Sequence, residues 1–175
     1  MLKTTRRCDW GSLLVAVCCV VAGGHLASGE DWPQFRGPRG DGTSAASNLP
    51  TRWGGFDGVT WKAEIPGSGW SSPVVVGERI WLTTAESTAL TSEQREQRLK
   101  SGFYRDHQDQ FQAHGSVSCY AVEVAATTGE VLRTIELFTC LDPPPVHATN
   151  GYASPTPVVA GDLLVCHFGS LGTAC

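Results

Sequence analysis

The stretch Ser72–Thr84, SPVVVGERIWLTT, reads as a β-hairpin, and Thr156–Phe168, TPVVAGDLLVCHF, reads as the same hairpin written a second time. In each, a hydroxyl residue and a Pro lead an apolar run of three, a Gly-acid pair follows, and a second apolar run closes the unit. Setting Pro73 on Pro157 also sets Gly77 on Gly161, so the copies align without a gap, Ser72 and Thr156 standing 84 residues apart. Two-residue loops with Gly first, here Gly77-Glu78 and Gly161-Asp162, suit a type II′ turn, whose twist matches that of the paired strands. The expected first strand is Val74–Val76 and the second Arg79–Thr84. Within the latter, Ile80 and Leu82 face one side and Trp81 and Thr83 the other. Both sides carry bulk, as in a strand covered on both faces.

Outward from the first hairpin the β-rhythm continues. Val59–Ile65, VTWKAEI, alternates around Trp61 and predicts a short strand ended by Pro66-Gly67. Ser116–Val124 predicts another, a turn follows at Thr127–Glu130 with Gly129 free to take a positive φ, and Val131–Phe138 alternates beyond it. Asp142 and the three prolines after it force an extended link to the second hairpin. Between the strands, Glu86–Gly115 is a polar insertion. Thr91–Lys100 within it has strong helix formers with Thr91 or Ser92 as cap, and Phe103, His107, Phe111 and His114 follow at near-helical spacing. The early stretch from Trp32 to Ser44 is expected to be a coil held down by Trp32 and Phe35, its glycines denying a helix.

The 175 residues fit one ordinary domain. With 41% hydrophobic residues the chain can bury a core, and 20 Gly, 10 Pro and one Met favour many turns over long helices, hence an all-β class. The first 29 residues read as an export signal: Lys3, Arg6 and Arg7 precede an apolar core, Leu13–Val21, and a small-residue cleavage site, Ala27-Ser28-Gly29. That core is short for a transmembrane helix, which needs about 20 residues. Cys8 and Asp9 after Arg6-Arg7 argue against a twin-arginine signal, and Cys18 and Cys19 lie too deep in the apolar core for a lipid anchor. The expected mature unit is residues 30–175, periplasmic or secreted. Its net charge is about −6, which disfavours nucleic acid as a partner. Four cysteines remain in it, Cys119, Cys140, Cys166 and Cys175. Export permits disulfides among them, but Cys119 and Cys166 sit inside strand patterns as small buried hydrophobes.

Candidate chemistry is sparse. His107 and His114 with Asp106 or Asp109 form no compact metal motif. The glycines of GPRGDG lack the flanking strand and helix of a phosphate cradle. His147, Asn150 and His167 read as turn or strand residues, and Asp162 as the turn acid beside Gly161. No catalytic, cofactor or metal residue is assigned on this ground.

The hairpin, the strand Ser116–Val124, the TGE turn and the strand Val131–Phe138 make four strands in series, the make-up of a propeller blade. With the insertion removed, the spacing between copies shortens to about 54 residues, near the ~40–50 of blade repeats. The segments SPVVVGERIWLTT, CYAVEVAATTGEVL and SPTPVVAGDLLVCHFGSLGTAC, with the opening WPQFRGPRGDGTS, resemble the pyrroloquinoline-quinone-like (quinoprotein-type) β-propeller repeat proteins, exported planctomycete-type members in particular. The resemblance implies a propeller of four-stranded blades, this chain supplying the N-terminal strand, one blade and the start of the next. It implies a docking pattern, Ala-x-Asp-x-x-Thr-Gly-x-x-x-Trp, here altered: Ala121 and Gly129 fit only with a longer spacing, Glu123 replaces the Asp and Arg133 the Trp. Trp61 looks like part of the family's closing strand. Cofactor-dependent members hold the quinone against a Cys-Cys disulfide with calcium nearby, and the only adjacent cysteines here, Cys18-Cys19, lie in the leader.

The expected function is therefore a non-catalytic exported interaction scaffold, similar to outer-membrane assembly propellers, with envelope or periplasmic protein partners. The alternative is the N-terminal fragment of a quinoprotein dehydrogenase using the quinone and calcium, and a β-sandwich complete in itself is a third. Because a ring needs about four blades or more, the remaining blades are expected outside this chain, which then reads as a truncated product.

Overall fold

The computed structural model describes residues 29–47, 49–55, 58–100 and 102–175. The export signal expected over residues 1–29 thus lies outside the described residues except for Gly29. Antiparallel β-structure dominates, with few helices.

The duplicated hairpin is present in both places. Strands β1 (Val74–Val76) and β2 (Arg79–Ser87) pair Val74 with Trp81, Val75 with Ile80 and Val76 with Arg79. In the second copy Val158 pairs with Val165, Val159 with Leu164 and Ala160 with Leu163, the same register at equivalent positions. Gly77 takes φ +57° and Gly161 φ +60°, while Glu78 and Asp162 stay out of the left-handed region, as a type II′ turn requires.

Beyond β2 the chain leaves the sheet for an outgrowth. Helix α1 (Ser92–Leu99) starts at Thr91, whose side chain accepts from the Gln94 backbone N–H at 3.2 Å while the Gln94 side chain accepts from the Thr91 N–H at 3.0 Å. This reciprocal cap satisfies two otherwise orphan donors. The expected helix is thus shorter by its first and last residues. A 3₁₀ stretch, Gly102–Gln110, broken at His107, leads into β3 (Phe111–Gln112). The outgrowth closes on itself at its root. Thr88 N–H donates to Ser116 O at 2.9 Å, Gly115 N–H to Thr88 O at 2.9 Å and Ser116 N–H to the Thr88 hydroxyl at 2.8 Å. Its foot therefore lies at Thr88 and Ser116 rather than Glu86 and Gly115, because Glu86 and Ser87 stay in β2, opposite Ser118 and Val117.

Strands β4 (Val117–Ala125) and β5 (Val131–Cys140) complete a four-stranded sheet of order β1-β2-β4-β5. The turn between them places Gly129 at φ +75°, its N–H on Ala125 O at 2.8 Å. Two register shifts opposite β4 kink β5, and Arg133 to Glu136 along it are exposed. Bulges and charge are the usual protection of a sheet edge. A short β6 (Val146–His147) pairs with β3, and β7 (Val158–Ala160), β8 (Leu163–His167) and β9 (Thr173–Ala174) form a three-stranded sheet.

The two sheets share a core. Ala85, Val117, Cys119 and Ala121 project from one face of the first sheet onto Ala153, Cys166 and Phe168, with the Phe138 ring edge-on to Phe168 at 5.5 Å. Burying Phe168, 1% exposed, contributes about 2–3 kcal/mol. The equivalent residues Ser72 and Thr156 meet directly, N–H to hydroxyl at 3.2 Å. Near the N-terminus, Trp32 exchanges both backbone hydrogen bonds with Val75 (2.6 and 2.9 Å), and Pro33 O accepts from Val159 N–H at 2.8 Å. Val75 and Val159 are repeat equivalents, so one short segment laces both copies. Phe35, expected to help hold this coil down, is 60% exposed, and the strand bonds of Trp32 anchor it instead.

The strand expected at Val59–Ile65 does not form: no ladder joins it among the described residues. Its Trp61 indole reaches the β4–β5 turn instead. Beyond it the Thr84 hydroxyl donates to Pro66 O at 2.7 Å and Ser68 bridges Ala85 by backbone bonds, which sets the chain along the edge of β2 past the end of β1.

Candidate functional site

At one end of the two sheets the entry segments of both hairpins converge on the foot of the outgrowth. Ser68 is fixed by paired 2.9 Å backbone bonds to Ala85, and Trp70 N–H donates to Ala153 O at 2.9 Å. Between them opens a cleft of about 130 Å³ lined by Trp70, Ala85, Ser87, Gln112, His114, Asn150 and Tyr152 among others. Ser87 comes from the end of β2, Gln112 from β3, and Asn150 and Tyr152 from the link into β7. The Ser87 hydroxyl lies 3.1 Å from His114 Nδ1, and the His114 ring stands edge-on to Tyr152 at 5.8 Å. Burial, with the charge of Arg95, holds His114 below the usual imidazole range. Burial likewise pushes the Tyr152 phenol up to about 12, and its hydroxyl donates to Pro144 O at 2.8 Å. A hydroxyl on an imidazole is a nucleophile-base pair, and among the described residues no carboxylate is hydrogen-bonded to His114 to orient it.

A second cluster lies at the other end of the first sheet. The Glu123 side chain, 5% exposed, pairs with Arg133 and, at 3.4 Å, with Arg79, and the Arg133 guanidinium lies 5.5 Å from the Trp81 ring centroid. A buried carboxylate is tolerated here because two guanidiniums answer it. Beyond it, on the β4–β5 turn, the Trp61 indole N–H donates to Ala126 O at 3.0 Å and its ring lies against Gly129, where any Cβ would collide with it.

Comparison of this chain with known protein families, with curated proteins and with solved structures returns no match.

The residues singled out from sequence are dispersed. His107 stacks on Phe103 at 4.5 Å with Nδ1 3.0 Å from Phe103 O, while His114 belongs to the cleft, so the two are not brought together. Asp106 pairs with Arg105 at 3.1 Å. Among the described residues, no three His, Cys, Asp or Glu side chains converge as a metal set. His147 packs on Phe111 and His167 meets the Thr173 hydroxyl at 2.8 Å, while Asp162 occupies the second hairpin turn. Asn150 alone of the turn candidates lines the cleft. The four cysteines among the described residues are free thiols, and burial pushes Cys119 and Cys166 up to about 11. No helix among the described residues is long and apolar enough to cross a membrane.

Sequence reasoning missed Trp70, Ser87 and Tyr152. The usable signal was the repeat itself: Gly67–Trp70 and Gly151–Ser154 stand at equivalent places before the two hairpins, so their side chains gather at one end.

Proposed function

We propose that the chain contributes blade-like repeats to a pyrroloquinoline-quinone-like β-propeller and that the protein acts as an exported, non-catalytic interaction scaffold for envelope proteins. The observation that carries this reading is Trp61. Its indole is seated on the turn at Gly129 with its N–H on Ala126 O, a contact that would stand in for the repeat's docking Trp, whose position Arg133 holds. Arg133 is engaged instead with Glu123 and Trp81. A second support is the face-to-face stacking of one complete four-stranded unit on a unit that begins with the same hairpin in the same register. Covalent capture in the periplasm with the full chain as bait tests the function. Enrichment of envelope proteins by the parent chain and its loss on Trp61→Ala support a scaffold. Failure to enrich any envelope protein, or dye reduction once pyrroloquinoline quinone and calcium are added with an alcohol, sinks it.

A further inference from the structure

The cleft beneath Trp70 has the make-up of a site for a small, uncharged, hydroxyl-rich molecule. Trp70 is 71% exposed, although a free indole in water is costly to leave uncovered and a surface aromatic at the rim of a polar cleft is a common recognition device. One edge of its ring is backed by Gly151, where a Cβ would come to 3.3 Å from the indole Cδ1, so the ring is steadied from beneath while its remaining surface stays open. Below the rim the polar groups converge. Asn150 Oδ1 accepts from the Ser154 hydroxyl, which fixes the amide and leaves its NH₂ without a partner among the described residues. His114 Nδ1 is taken by Ser87, leaving Nε2, and the Gln112 amide completes the wall.

None of these side chains carries a formal charge in the neutral state that burial favours for His114. An ammonium entering the cleft would lose hydration without gaining a counter-charge, and a phosphate or carboxylate would meet no cation in the wall, the charges of Arg95 and Arg98 acting on His114 and Tyr152 from outside it. A purely apolar ligand would strand the amides and the imidazole. A sugar ring meets both demands, because its axial C–H face packs on an indole while its hydroxyls donate and accept around the edge. The cleft, about 130 Å³, admits the edge of such a ring while its face rests on Trp70 at the rim.

We infer that the cleft formed by Trp70, Ser87, Gln112, His114, Asn150 and Tyr152 binds a neutral pyranose, either free or as the terminal unit of a glycan. Trp70 provides the stacking platform, and Asn150 and His114 read the hydroxyls. The site is independent of the propeller reading, since all six residues are positioned by contacts within this chain.

Saturation-transfer NMR on the full chain tests it, with methyl glucoside, methyl galactoside and methyl mannoside as free-sugar probes and cellobiose and lactose as glycan-end probes. At least one neutral probe is expected to bind with a Kd in the millimolar range, as expected for about a dozen heavy atoms. A disaccharide binding tenfold tighter than every monosaccharide identifies the glycan end, and equal affinity identifies the free sugar. Trp70→Ala should weaken binding at least tenfold, Trp70→Phe should restore most of it, and Asn150→Ala should weaken it about fivefold. Trp70 is exposed and Asn150 lies in a turn, so the circular dichroism of all three variants should match the parent. The inference is overturned if no neutral sugar gives saturation transfer, if Trp70→Ala binds like the parent, or if glucuronate binds better than the neutral glycosides.

Discussion

The two copies of the hairpin share a turn, a register and a pattern of apolar residues, yet they end up in different surroundings. In the first, β2 runs on for nine residues through to Ser87, paired with β4 along its whole length and bridged at Ala85 by Ser68. In the second, β8 spans five residues, and Leu163 beside its turn is 57% exposed. Near-identical local sequence thus writes the same two-residue turn and the same pairing twice, while strand length is set by the neighbours each strand pairs with, β4 along all of β2 and β9 for only two residues of β8. Hairpin formation is a local matter here, and the extent of the strand is a tertiary one.

The most severe way to break the comparison is to remove the side chain that joins its two halves. Phe168→Ala should cost about 3–5 kcal/mol in urea-unfolding free energy, because the ring is 1% exposed between the sheets. A loss under about 1 kcal/mol would mean the copies do not share a core. Trp61→Ala tests the first copy alone. Half-buried rather than fully so, it should cost about 2–3 kcal/mol and weaken amide-exchange protection at Ala126 and Gly129 before that of β7 and β8. The equivalence of the turns is sharpened by Gly77→Ala and Gly161→Ala measured side by side. Nothing stands within 4 Å of a Cβ at either position, so each pays only the strain of a positive φ, about 1–2 kcal/mol. Costs differing by more than about 1 kcal/mol would show that the turns are not equivalent.

The smallest effect concerns pH. His114 is held below its unfolded value, so folding favours the neutral ring. Its contribution is intact above the unfolded value near 6.5 and is lost as pH falls below it, where the unfolded chain binds the proton first. The parent should therefore lose more stability between pH 7.5 and 5 than His114→Gln does, as read from paired urea titrations. An identical pH dependence in both would remove the imidazole as the cause.

The sequence made the hairpins legible because a Gly-acid loop between apolar runs has few other folds open to it. The TGE turn was equally plain, and the helix start was legible to within one residue, Thr91 or Ser92, of which Thr91 is the cap. Trp61 was misread in its partners. Alternation around it predicts a strand, but a strand needs a neighbour to pair with, and the indole instead spans 65 residues to reach Ala126. Phe35 misled for the opposite reason: an aromatic ring in a glycine-rich coil invites an anchoring role, whereas the backbone of Trp32 does the anchoring. The cleft was illegible residue by residue, because Trp70, His114 and Tyr152 come from three separate segments that meet only when both hairpins stand in place.

The clasp between Thr88 and Ser116 separates two questions that the linear sequence runs together. Since β2 and β4 stay paired up to Ser87 and Val117 at its foot, the outgrowth can be exchanged for a tight turn without a gap opening in the sheet. The sheet bears the cost of closing it in stability and, where closure comes early, in time as well. A loop shortened about sevenfold closes with about 1.7 kcal/mol less entropy loss. Where that closure precedes the folding barrier, the trimmed chain would fold about twentyfold faster. The outgrowth is then a graft port for the four-stranded sheet alone: trimming it leaves that sheet paired but takes β3 from β6 and Gln112 and His114 from the cleft.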